Sequence, residues 1–124
     1  MQKEAINYYN DGVKAQKDNK ELQMKDFYTK TLYMDPNNEE FKKWILHNYG
    51  VLYAKQGDLA RAEETFLQVL QMDPNYMPAR KDLGLVYDKT HSRLEAIEYW
   101  LKILEIDLDK LKPQDYILAE EQKQ

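Results

Sequence analysis

The side chains suited to catalysis are few in this chain and do not converge. The histidines are His47 and His91, and the only serine is Ser92. A nucleophile needs a base within hydrogen-bond reach and a third group to orient that base, yet the two imidazoles fall on different copies of the repeat traced below. Ser92-Arg93-Leu94-Glu95 has the form of a capping box, in which a hydroxyl and a glutamate three residues on close a helix start. That role accounts for Ser92 without chemistry. Paired carboxylates such as Glu63-Glu64 and Glu120-Glu121 could do acid–base work only if one of each pair were drawn out of water. Among interspersed charges of both signs they read as solvated helix faces. There is no Gly-rich phosphate loop and no HExxH pair. The absence of cysteine excludes disulfides and thiolate metal sites. The expectation is no enzyme, no catalytic residue, no metal and no cofactor.

Composition narrows the partners. The chain has 124 residues, 43% hydrophobic and 32% charged, which suits one folded domain with a real core. Its 18 Lys and Arg are outnumbered by 22 Asp and Glu, for a formal charge of −4. A nucleic-acid surface normally carries a basic excess, so none is expected. No apolar run approaches the ~18 residues of a membrane span. Met1-Gln-Lys-Glu-Ala-Ile lacks the apolar middle of a signal peptide. No membrane insertion and a cytoplasmic location are the corresponding expectations.

The elements that would position a binding surface emerge from an internal repeat. Tyr49-Gly50-Val51-Leu52-Tyr53 aligns with Leu83-Gly84-Leu85-Val86-Tyr87 at an offset of 34, and Ala62/Ala96, Glu64/Glu98, Phe66/Trp100, Leu70/Leu104 and Asp73/Asp107 keep that register. Upstream, Gly12 to Pro36 spans 24 residues, as does Gly50 to Pro74, which places Tyr28 and Leu32 where Phe66 and Leu70 stand. The interval from Pro36 to Gly50 is four residues longer than that from Pro74 to Gly84. About one helical turn is thus inserted at 39–42, which predicts a longer first helix in the second copy. Each copy reads as two helices. In the second, Ile45, Leu46, Tyr49, Leu52 and Tyr53 make one apolar stripe and Leu59, Ala62, Phe66, Val69, Leu70 and Met72 the next. Between them, Gly57 suits a left-handed C-cap and Asp58 an N-cap.

These residues resemble the tetratricopeptide repeat, with copies at 5–38, 43–76 and 77–110. The second copy fits best, through Tyr49-Gly50, Tyr53, Ala62, Phe66 and Pro74, with Leu46 and Val69 as departures. The first departs at Asp11 and Met24, the third at His91 and Leu108. The resemblance implies an all-α fold, a right-handed α-solenoid of three antiparallel helix-turn-helix hairpins in which each hairpin buries its face against its neighbour. Residues 113–123 read either as a C-terminal capping helix, the reading preferred here, or as the first helix of a fourth copy. Small residues at Gly50 and Ala62 would let paired helices approach, while Tyr53 and Phe66 fill the space between hairpins.

In this family the first helix of each hairpin lines a groove. The resemblance places groove positions at Tyr9 and Val13 in the first copy, at Trp44, His47, Asn48 and Val51 in the second, and at Lys81 and Leu85 in the third. Asn48 is the residue expected to orient a ligand backbone. Plainer roles stay open: Tyr9 and Val51 could pack between first helices, Trp44 could shield the end of the extended helix, and His47 could be an ordinary surface residue. The carboxylate clamp by which some family members grip chaperone tails would fall on Tyr9, Val13, Asn48, Pro78 and Asp82. Only Asn48 suits it, so clamp activity is not expected. The implied function is a protein–protein interaction module, an adaptor or co-chaperone-like scaffold holding a peptide segment of another protein. The alternative is a self-assembling module, a homo-oligomer pairing through stack ends and the extended helix near Phe41 and Trp44. A third reading makes the chain the repeat portion of a larger protein.

Overall fold

The computed structural model of the chain describes residues 2–91 and 93–103. Two compact units divide it, Met1–Val86 and the part from Tyr87 onward. The described elements are six helices in the order α1 Lys3–Lys17, α2 Glu21–Met34, α3 Glu39–Lys55, α4 Leu59–Met72, α5 Met77–Thr90 and α6 Arg93–Ile103. No strand occurs among the described residues. The expected cap at 113–123, Ser92 and the end of the third copy lie outside them.

Steric fit at two glycines explains why α1 pairs with α2 and α3 with α4. A Cβ added at Gly50 would stand 2.5 Å from Cε1 of Phe66, and one added at Gly12 would collide with the ring of Tyr28. Each aromatic thus lies directly on the partner helix's backbone, and both rings are essentially fully buried. The pairs Gly12/Tyr28 and Gly50/Phe66 are the same contact, displaced by one repeat plus the four-residue insertion. Ala62 and Val69 complete the buried stripe of α4, but Met72 is 39% exposed and Tyr53 only half-buried, contrary to the core roles expected of them. Tyr53 lies at the rim, where the Arg61 guanidinium sits 5.4 Å from its ring centre.

The turns follow from cap chemistry. Gly57 takes φ +82°, and the amide of Asp58 donates to the Tyr53 carbonyl at 2.9 Å while the Asp58 carboxylate accepts from the Arg61 amide at 3.2 Å. This is the six-residue closure of a Schellman motif running straight into an N-cap. The first hairpin repeats the closure, without a side-chain cap, with Asn19 at φ +59° and the Lys20 amide on the Ala15 carbonyl at 2.8 Å. Asparagine is the non-glycine residue best able to occupy that region.

The insertion lengthens α3 to 17 residues, against 15 for α1. Asn38 caps it by accepting from the Phe41 amide at 3.1 Å. Phe41, in the added turn, is completely buried, in edge contact with Trp44 at 5.8 Å and tilted against Tyr9 at 5.9 Å. It therefore offers no surface to another chain, which removes it from the self-pairing alternative. Lys43, two residues on, is only 8% exposed. Its ammonium bonds Asp73 at 3.0 Å and Glu40 at 3.1 Å and lies 4.8 Å from the Tyr76 ring centre. Burial pulls its pKa down, but the two carboxylates outweigh that and hold it above the ordinary lysine value. Asp73 is held below the usual carboxylate value, chiefly by the Lys43 hydrogen bond.

In the unit from Tyr87 onward, the Tyr87 ring stacks on His91 at 4.3 Å and on Tyr99 at 4.2 Å, and His91 meets Glu95 at 3.0 Å. His91, where the family usually has glycine, thus joins an aromatic stack.

Candidate binding surface on the first helices

Within the first unit, Tyr9, Val13, Trp44, Asn48 and Val51 are all half-buried. A half-buried row suits a wall that is fixed at its base and open on top. Tyr9 packs against Trp44 at 5.6 Å and Tyr28 at 5.9 Å. Tyr9 and Trp44 therefore take the plainer role, sealing the joint between α1 and α3, and remain partly exposed.

Asn48 holds the most consequential position. Its side-chain nitrogen donates to the Tyr9 hydroxyl and to the Tyr28 hydroxyl, each at 3.1 Å. Tyr28 in turn donates to Gln16 Oε1 at 2.8 Å, and Gln16 Nε2 donates to the Asn48 backbone carbonyl at 2.8 Å. The last three bonds form a closed ring across α1, α2 and α3 with every donor pointing the same way round, so each bond polarises the next. Burial pushes the Tyr28 phenol well above its ordinary pKa, and Tyr9 upward as well, with the Asn48 bond opposing in both cases. The amide expected to greet a ligand thus spends its amino group inside the protein.

Val13, Asn48 and Val51 line one cleft of about 190 Å³ together with Gln16, Lys17 and Lys55. His47 is not in it. Its Nε2 meets an Asp82 carboxylate oxygen at 2.8 Å, and its ring lies 5.6 Å from both Phe66 and Tyr76. It ties α3 to α5 and is neither a free surface residue nor an open groove contact. Lys81 lines a separate, shallower cleft with Met77, Pro78 and Asp82, and Leu85 stands 49% exposed. The expected site residues therefore divide into a cluster between α1 and α3, a bridge at His47 and an exposed pair on α5. Gln16, Lys17 and Lys55 were missed from sequence. The two lysines had a legible signal, since they recur at the same repeat offset as Gly12 and Gly50; Gln16 had none.

Among the described residues no group of three or more His, Asp or Glu is placed to hold a metal ion, and no helix is long and apolar enough to cross a membrane.

The tetratricopeptide repeat pattern matches residues 44–76, which covers nearly all of the second hairpin. Along most of its length the chain is similar to the photosystem I assembly protein Ycf3 of Rippkaea orientalis, with 30% identity over an alignment covering 95% of this chain and 73% of that protein. The same-named protein of Synechococcus elongatus is 28% identical over the same shares. That of another Synechococcus is 33% identical over 70% of this chain and only 50% of its own length. Further proteins of the same name are likewise matched over about half their length. The glycine–aromatic hairpins, the recurring turn chemistry and these likenesses agree: the chain belongs to the tetratricopeptide repeat family.

Proposed function

We propose that the chain is a protein-binding assembly module that holds a segment of a partner subunit in the cleft between α1 and α3 while a larger complex is put together. The relatives named for photosystem I assembly make that complex the first candidate. The observation that carries the reading is the division of labour around Asn48. Polar groups at the base of the wall satisfy one another, leaving Val13, Val51 and two lysines at the opening. A wall fixed beforehand spares the partner the ordering cost of binding, and a cleft without reacting groups suits holding rather than converting. Groups on α5, Lys81 and Leu85, extend the surface available to a longer segment.

The test is co-purification of photosystem I subunits from a cyanobacterial extract with the wild-type chain and with Val51→Glu. The wild type retains a subunit that the variant loses while keeping its helical signal. If both retain the same subunits, the cleft is not the binding surface.

A further inference from the structure

We propose that this cleft takes an acidic, extended peptide segment, in which two carboxylates two to three residues apart engage Lys17 and Lys55 and an aliphatic side chain between them sits on Val13 and Val51. The inference rests on the groove reading above and adds the chemistry of the occupant. Three observations support it.

The first is charge. The chain carries a net −4, yet the side chains lining the cleft are Val13, Gln16, Lys17, Asn48, Val51 and Lys55, with two cations and no anion. The second is the state of those cations. Four lysines of the first two hairpins are paired: Lys25 with Glu21, Lys30 with Asp26, Lys42 with Glu39 and Lys43 with Asp73. Among the described residues Lys17 and Lys55, like Lys3, Lys14 and Lys20, have no such partner, and of these five only Lys17 and Lys55 line this cleft. Each sits in the last turn of its helix, where a cation favours the helix dipole, but that alone does not call for both to border one cleft. Glu21 lines the adjoining cleft with Lys55 but is engaged by Lys25 at 3.0 Å and by Gln56 at 3.0 Å. Two like charges beside one opening repel, and an incoming anion relieves that repulsion.

The third is spacing. Packed helices stand about 8–10 Å apart, and an extended chain advances about 3.3 Å per residue. Carboxylates two to three positions apart therefore span the distance between a lysine on α1 and one on α3. The cations lie one helical turn beyond Val13 and Val51, so the charged contacts fall outside the clamp positions Tyr9, Val13, Asn48, Pro78 and Asp82, while Val13 and Asn48 belong to both sets.

The test uses the full chain and two fluorescein-labelled nine-residue peptides, one with Glu-Val-Thr-Glu at its centre and one with Gln-Val-Thr-Gln, followed by fluorescence anisotropy. The acidic probe is expected to bind at least about tenfold more tightly than the neutral one, and to weaken about tenfold in Lys17→Gln/Lys55→Gln and again as salt is raised past the point where charges are screened. Lys30→Gln/Lys42→Gln removes the same charge from paired lysines elsewhere and is expected to leave binding unchanged. Circular dichroism verifies that both variants fold. Equal binding of the two probes, no detectable binding of the acidic one, or equal weakening by the two double variants overturns the proposal. Equal binding lost in Val51→Glu would leave the groove reading standing without its charge preference, whereas binding retained in Val51→Glu would sink both.

Discussion

Replacing Tyr28 by phenylalanine removes one oxygen atom and opens the ring that fixes the floor of the cleft. That hydroxyl accepts from Asn48 at 3.1 Å and donates to Gln16 at 2.8 Å. Bonds between neutral partners are worth about 0.5–1.5 kcal/mol each, and more is lost where a buried partner is stranded. Asn48 retains its bond to Tyr9, and Gln16 is half-buried and can recruit water, so stranding is incomplete. The expected loss is about 1–2 kcal/mol, at roughly 3–6 °C of Tm per kcal/mol for a chain of this size. Urea and thermal unfolding followed by circular dichroism measure it. Because the bonds form a ring, Gln16→Leu in the Tyr28→Phe background should cost less than it does alone, by about 0.5 kcal/mol or more. The pH dependence has a definite sign. The folded pKa of Tyr28 is raised above the ordinary 10.0, so its contribution is fully present below pH 10.0 and is lost as pH rises through the folded value. Tyr28→Phe should therefore lose less stability than the wild type above that pH, keeping the share due to Tyr9, Tyr49 and Tyr76, whose pKa values burial also raises. Strictly additive costs for Tyr28→Phe and Gln16→Leu would refute the ring, and an unchanged alkaline profile would refute the burial of the Tyr28 phenol.

Other perturbations probe the remaining supports. Gly50→Ala gains about 1 kcal/mol of helix propensity but forces a methyl to within 2.5 Å of a buried ring, at about 1–3 kcal/mol or more for overpacking. A net loss of up to about 2 kcal/mol in urea unfolding is expected, partly recovered by Phe66→Leu; no recovery would place the strain elsewhere. Gly57→Ala meets no atom within 4 Å but holds φ +82°, so it should cost about 1 kcal/mol with no response to changes at Phe66. The depressed pKa of Asp73 contributes stability above its ordinary 3.8 that is lost as pH falls through the folded value. Lys43→Met should flatten the acid limb of the stability profile, and an unaltered limb would show that the pair does not set it.

What the sequence disclosed is what is written locally or repeated. Gly57 and Asp58 announce a turn through conformational need and cap chemistry, and both do what those needs require. Asn19 performs the same turn without being singled out, because a left-handed asparagine looks like any loop polar residue until its register against Gly57 is noticed. The close approach at Gly50 was legible from the alternation of small and large residues. Tyr53 and Met72 read as core in the sequence because period alone does not say where a stripe ends, and both lie at its edge. The site was half legible. Tyr9, Val13, Asn48 and Val51 come together because first helices stack in register. His47 could not be separated from them, since its Asp82 partner is 35 residues away and only the packing of α3 against α5 unites them. Lys43 was invisible for the same reason: its partner Asp73 is 30 residues distant, and nothing in a surface-type residue declares that it will be buried.

The inward turn of the Asn48 amide has an effect on what a bound chain can say to it. With the amino group committed to two tyrosines, the side chain's remaining voice is an oxygen, so it addresses a visitor only as an acceptor. The Tyr9 hydroxyl beside it, already accepting from Asn48, has its own hydrogen left to give. One taker and one giver placed side by side match the N–H and C=O of a backbone and leave side-chain identity unread. In the proposed binding mode the choice among sequences falls to neighbouring residues.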